Sequence, residues 1–311
     1  MVFFSLGKAA VALLLTAVIP ISAASVPRHE NPNTNPILET RASSTVPWQA
    51  RHGMTPSQYQ STFDALVASG YKPTYISGYP WGNNDARYAA IWDKNTTNPQ
   101  YQWVSRHGLT SEQYQQWFNT YTSQGYRPRH VSGYASSSSP RYAAIWDKSP
   151  SPPGGGWAAR HGMTPEQYQS WTSTYAAQGY RPVHVSGYAD GGQARYAAIW
   201  ETAASNNNYP WVARHGLTSY QYQQAFDAYV AQGYRPVKVS GYVVGGVDYY
   251  AAIWEKTPSS YPPWVARHGL TSGQYQGEFD KWVAQGYRLT VVSGYTMGGN
   301  QDRYAAIWVK E

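Results

Sequence analysis

The apolar positions of this chain follow one pattern, written five times. In residues 211–254 an opening Trp-Val-Ala segment leads to Arg214-His215-Gly216, and apolar residues then return at helical spacing at Tyr222, Phe226 and Tyr229. Two alternating runs follow, the second being Tyr-Ala-Ala-Ile-Trp. The copies open at Trp48, Trp103, Trp157, Trp211 and Trp264, with starts 55, 54, 54 and 53 residues apart. A period near fifty marks a supersecondary unit that cannot bury its apolar face alone and stacks on its neighbours.

Each copy predicts the same elements in the same order. The opening segment, such as residues 103–107, reads as a strand. A Thr then caps a helix, with Gln58, Gln113, Gln167, Gln221 or Gln274 three residues on, so that side chain and backbone satisfy each other's end groups; Pro56 and Pro165 take the first helical position in two copies. The helix carries Tyr59, Phe63 and Leu66, or Tyr275, Phe279 and Trp282, on one face, and it stops at Gly70, Gly125, Gly179, Gly233 or Gly286. Two strand-like runs joined by Gly-, Asn- or Ser-rich residues then form a hairpin, as at 183–188 and 195–200. The position of Tyr75, His130, His184, Lys238 and Val291 differs in every unit but one pair, which predicts that it faces solvent. Tyr-Ala-Ala-Ile-Trp repeats on both alternating faces, so both should be packed.

The expected fold is therefore α+β: five tandem β-α-β-β repeats over residues 48–311, at 48–102, 103–156, 157–210, 211–263 and 264–311. Short Pro-rich linkers reach only to a neighbouring unit. A curved, half-barrel-like array with strands inside and helices outside is expected.

Residues 1–24 lie outside this pattern. Lys8, an apolar run over 9–19 and the small residues Ser22, Ala23 and Ala24 read as a signal peptide, which predicts a secreted, extracellular protein with no membrane attachment after cleavage. Residues 25–47, rich in Pro, Asn, Ser and Thr, read as a disordered spacer or propeptide. There is no cysteine, so stability must come from packing, to which 14 Trp and 29 Tyr contribute large apolar area with polar handles. The formal charge of +7 falls to +6 when Lys8 leaves, a mild bias without a basic run, and nucleic acid is not an expected partner. Asn95-Thr96-Thr97 is a glycosylation sequon in a linker.

Candidate chemistry is sparse. Arg51-His52, Arg106-His107, Arg160-His161, Arg214-His215 and Arg267-His268 recur at the helix entrance. Five equal copies fit hydrogen bonding at the repeat boundary better than one assembled catalytic site; ligand contact is the second reading. Their spacing is not that of a metal site, and no metal or cofactor is expected. Ser69-Gly70-Tyr71-Lys72 matches S-x-x-K by accident, since it straddles a helix end and the other copies read Gln-Gly-Tyr-Arg. The Tyr of Ser-Gly-Tyr, namely Tyr79, Tyr134, Tyr188, Tyr242 and Tyr295, opens the hairpin loop and is the expected surface contact.

The blocks W-x-A-R-H-G-[LM]-T, G-Y-R-P-x-x-V-S-G-Y and R-Y-A-A-I-W, in that order, resemble the bacterial tandem repeat domain 1 family over residues 48–310. Tyr249, where other copies have Arg, and Leu289, where they have Pro, depart from them. Such repeats occur in the N-terminal region of secreted fungal polyglycine hydrolases, ahead of a β-lactamase-like catalytic domain; here the sequence ends at Glu311 after the fifth repeat, so no catalytic residue is carried over. The resemblance implies a non-catalytic module that recognises an extracellular protein or wall polysaccharide. A stand-alone or split hydrolase and a structural wall component are the alternatives. The sequence does not indicate an oligomeric state.

Overall fold

The computed structural model describes residues 39–41, 46–82, 85–94, 101–136, 139–150, 156–202, 209–258 and 260–311. The expected signal peptide and the Asn95 sequon lie outside these residues.

Each unit contains the expected elements. The first has strand β2 (Trp48–Met54), helix α1 (Pro56–Ala68) and hairpin strands β3 (Tyr71–Trp81) and β4 (Asp85–Lys94). The second has β5 (Trp103–Leu109), α2 (Ser111–Ser123), β6 (Arg127–Ser136) and β7 (Ser139–Asp147). The third has β8 (Trp157–Met163), α3 (Pro165–Ala177), β9 (Tyr180–Asp190) and β10 (Gln193–Thr202). The fourth has β11 (Trp211–Thr218), α4 (Ser219–Ala231), β12 (Tyr234–Val244) and β13 (Val247–Lys256), and the fifth has β14 (Trp264–Leu270), α5 (Ser272–Ala284), β15 (Tyr287–Met297) and β16 (Gln301–Lys310). All five helices start at the predicted Thr with both halves of the capping box formed. Each ends against the predicted glycine, which takes a positive φ, +77° at Gly70 and +85° at Gly286. Within residues 25–47, expected to be a disordered spacer or propeptide, β1 (Glu39–Arg41) pairs antiparallel with the edge strand β2.

Within a unit the closing strand lies in the middle, with the opening strand on one side and the first hairpin strand on the other, all antiparallel. Each sheet is separate: three have no more than their own three strands, as does a fourth, and the first adds only β1. The half-barrel expected from the sequence is therefore not formed, because no sheet continues into the next or curls on itself. The reason lies in Tyr-Ala-Ala-Ile-Trp. In the first unit Tyr88, Ala90 and Trp92 cover one face and pack on the helix through Tyr59, while the opposite faces of the following sheet, Ala143 and Ile145, join the same cluster. A half-barrel would leave one of two apolar faces uncovered; stacking the sheets face to face buries both.

The stacking closes on itself. Wherever one unit meets the next, the Ser-Gly-Tyr of the inner strands forms the same clasp. The backbone N–H of Gly78, Gly133, Gly187 and Gly241 donates to the hydroxyl of Ser132, Ser186, Ser240 and Ser293 in the following unit, and Gly294 donates to Ser77 of the first, each at 3.0–3.1 Å. The tyrosine of the following unit lies flat on that glycine: a Cβ on Gly78 would come within 2.4 Å of the Tyr134 ring, and one on Gly294 within 2.4 Å of Tyr79. Glycine is required there for close approach. The same tyrosines reach the middle-strand tyrosines behind them, as in Tyr142–Tyr188 at 2.7 Å and, across the closing seam, Tyr304–Tyr79 at 2.7 Å. The helices fill the outer part of each gap, where Phe63 meets Trp103 of the next unit and Phe279 meets Trp48.

Candidate functional site

The five Arg-His pairs do not come together; each belongs to its own seam. The glycine after the histidine holds φ between +65° and +69° at Gly216 and Gly108, the extremes of the five, and the strand pairing shifts register there, between Arg51 and Met54 in the first unit. This bulge turns the imidazole into the preceding unit. His107 sits edge-on to Tyr59 and Tyr88, with ring centroids 4.7 and 5.4 Å away, and His161 does the same with Tyr114 and Tyr142 at 4.7 and 5.2 Å. His215 and His268 repeat it on Tyr168 and Tyr222, and His52 on Tyr275 and Tyr304 of the fifth unit at 4.7 and 5.2 Å. Burial lowers the affinity of all five for a proton, most at His52, which is brought down to about 4.

Four of the arginines lie against their own helix, and Arg51 bonds within its own strand. Arg106 and Arg160 lie over Trp117 and Trp171 at 3.8 and 3.4 Å and donate to the hydroxyls of Tyr121 and Tyr175 at 2.8 and 3.1 Å. Arg267 pairs with Glu278 at 3.1 Å, Arg214 approaches Tyr229, and the buried Arg51 donates to Gln49 at 2.7 Å. Where these pairs border the surface they line shallow grooves between a helix and the next opening strand. One of about 420 Å³ holds Phe226, Trp264, Arg267 and His268; another of about 390 Å³ holds Phe118, Arg160 and His161.

The other expected contact residues are not at the surface. Tyr79, Tyr134, Tyr188, Tyr242 and Tyr295 are 1–4% exposed, because each is the half of the clasp that covers the neighbouring glycine. The serine of the same motif, which sequence reasoning passed over, is its other half; its presence in all five copies was the available signal.

The position expected to face solvent faces inward instead. Tyr75, His130, His184 and Val291 are buried and Lys238 is partly buried. They converge from different units: Tyr75 and His130 have ring centroids 4.2 Å apart, His130 and His184 4.2 Å, and Tyr75 and His184, two units apart, 6.2 Å. The Lys238 ammonium lies over the Tyr75 ring at 5.4 Å. The ring therefore has an axis, and the residues at it are the ones the repeat does not hold constant. His130 and His184 present Nε2 to the carbonyls of Ile76 and Val131 in the preceding units at 2.5 and 2.6 Å. Burial and the neighbouring cations keep both histidines neutral, His184 down to about 3, and bring Lys238 down to about 8, with Arg129 and Arg235 adding to the effect of burial.

Around one end of the axis, basic residues bridge the seams. Arg127 binds Glu201 of the next unit at 2.6 Å, Arg181 binds Glu255, and Arg288 of the fifth unit binds Asp93 of the first. The fourth seam departs from this. Val309 stands in the fifth unit where the other units carry an acid, and Arg235 instead stacks on Tyr261 at 3.5 Å and keeps its buried Nε without a hydrogen-bond partner. Among the described residues no group of three or more His, Cys, Asp or Glu could hold a metal ion.

A family model described as a polyglycine hydrolase-like structural repeat matches five consecutive segments, 45–95, 101–149, 154–203, 208–257 and 262–311. Each segment holds one β-α-β-β unit and one copy of the clasp. The chain belongs to this family of polyglycine hydrolase-like structural repeats.

Proposed function

We propose that the protein is a secreted, non-catalytic recognition module, a ring that binds an extracellular protein or cell-wall polymer. One observation carries this reading: the polar residues repeated in all five units are spent on the seams and on each unit's own helix, whereas the side chains that differ gather at the axis and on the described hairpin turns. A frame made constant by fivefold repetition leaves its differences free to read a ligand. The turns carry unlike surfaces, from Trp81 under the Arg87 guanidinium at 4.9 Å to the Gly191-Gly192 and Gly245-Gly246 turns.

Co-sedimentation and pull-down of the purified ring with chitin, glucan and Gly-rich protein fractions test the proposal. Saturable capture by one class, reduced at least severalfold by Trp81→Ala or Asp190→Ala with folding intact, is the expected result. Absence of capture by every class would overturn it.

A further inference from the structure

The opening strands lie at the edges of their sheets, and one of the five is covered. β1 pairs along β2 with Glu39 opposite Ala50, Thr40 opposite Gln49 and Arg41 opposite Trp48. Among the described residues no strand pairs with the outer edges of β5, β8, β11 and β14. Burial follows the same division. Trp48 and Ala50 are each 1% exposed and Arg51 6%, whereas in β14 Trp264 and Ala266 are half-buried and Arg267 is exposed. β11 repeats this at Trp211, Ala213 and Arg214. Beside two of the uncovered strands, β8 and β14, run the grooves of about 390 and 420 Å³, each walled on its other side by the preceding helix.

We propose that the open edges of β5, β8, β11 and β14 each take an extended peptide segment of a partner protein as an added antiparallel strand, with an acidic residue opposite the Ser or Ala that precedes the strand's arginine. An edge strand presents a row of N–H and C=O groups that a further strand satisfies, and β2 shows this edge doing so. The seat is short. A bulge after the Arg-His pair breaks the strand, so pairing runs from the Trp to the Arg, the stretch within which β1 sits on β2. The acid follows from charge and register: each open strand carries an arginine and no Asp or Glu, and Glu39 stands opposite the residue before Arg51. A foreign segment is favoured over that of a second copy. Each chain has one β1 for five like edges, and lending it to another copy uncovers its own β2 for no net gain in paired backbone. These edges lie on the opposite side of each sheet from the axial strands and use none of the turn residues, so failure here leaves the preceding reading standing.

Titration of the intact protein with a fluorescent peptide of residues 36–42, Pro-Ile-Leu-Glu-Thr-Arg-Ala, followed by anisotropy, tests the edges. Saturable binding at up to four sites per chain is expected, one for each open edge. Methylating the backbone nitrogens of the peptide's Thr and Arg should weaken it about tenfold, since one of any two successive amides points at the edge. Replacing its Glu by Gln should weaken it severalfold. Amide hydrogen exchange locates the site: the peptide should slow exchange in 103–106, 157–160, 211–214 and 264–267 and leave 48–51 unchanged, because β1 already covers them. No saturable binding, equal binding by either altered peptide, or protection confined to other segments would overturn the proposal. So would concentration-dependent self-association of the protein alone with the same protection pattern, which would make a second copy's β1 the occupant.

Discussion

The seam between the fifth and first units and the seams between successive units are made of the same contacts, yet only the latter are tied by a linker. Gly294 finds Ser77 across 217 residues of sequence and Gly187 finds Ser240 across 53, both at 3.0 Å. The free ends therefore meet because their surfaces match, not because the chain holds them together. Closure follows from five equal rotations adding to a full turn, as in other closed arrays built from one repeated unit.

The largest test of this equivalence is Gly294→Ala beside Gly187→Ala. Both place a methyl group against a tyrosine ring, and each should cost about 3 kcal/mol in urea unfolding, at the upper end for overpacking. The two should differ in how they yield. Gly294→Ala should open the untethered seam and raise hydrogen exchange in β3 and β15, whereas Gly187→Ala should lower stability without selective opening. Equal exchange patterns would show that the linkers contribute nothing to the seams.

The histidines offer a second comparison. His52 at the closing seam has a proton affinity lowered to about 4, below its value near 6.5 in the unfolded chain. Its neutral form is favoured by folding, so its contribution is full above pH 6.5 and is lost as pH falls toward 4, at a slope of about 1.4 kcal/mol per pH unit. Unfolding of His52→Gln measured across this window should be flatter by that amount; an unchanged slope would mean that His52 takes up no proton differently in the two states.

Smaller effects probe single bonds. Tyr304→Phe at the closing seam and Tyr142→Phe at an internal one each remove one hydroxyl–hydroxyl bond across a seam, and each should cost about 1 kcal/mol by thermal or urea unfolding. A clearly larger loss for Tyr304→Phe would show that the closing seam depends more on this hydroxyl, which also bonds Asp302. Val309→Glu should do the opposite at the fourth seam, restoring the bridge that Arg127, Arg181 and Arg288 make elsewhere and adding up to about 1 kcal/mol. No gain would mean that Tyr261 already satisfies Arg235.

Local order was legible because its causes are local. The Thr-x-x-Gln box, the glycine stop and the alternating hairpin strands depend on residues within one turn or one strand, and five copies made them unmistakable. The double-faced burial of Tyr-Ala-Ala-Ile-Trp was legible for the same reason. The readings that failed concern neighbours outside the unit. Constant Tyr79 was expected at the surface and variable Tyr75 was expected in solvent, yet both are buried, Tyr79 as a seam contact and Tyr75 at the axis. Within one unit, variability and a place next to a loop both suggest exposure; only the stack of units supplies the partner that buries them.

The sequence by itself determined the unit, its element order, its capped helix and the number of copies, because these follow from short-range backbone and periodicity constraints. The tertiary structure alone decided that the sheets stack face to face, that the fifth unit meets the first, and that Tyr75, His130, His184, Lys238 and Val291 share one axis. Those outcomes depend on the rotation between successive units, an angle set by how a tyrosine rests on a neighbour's glycine, and no residue of a single repeat encodes it alone.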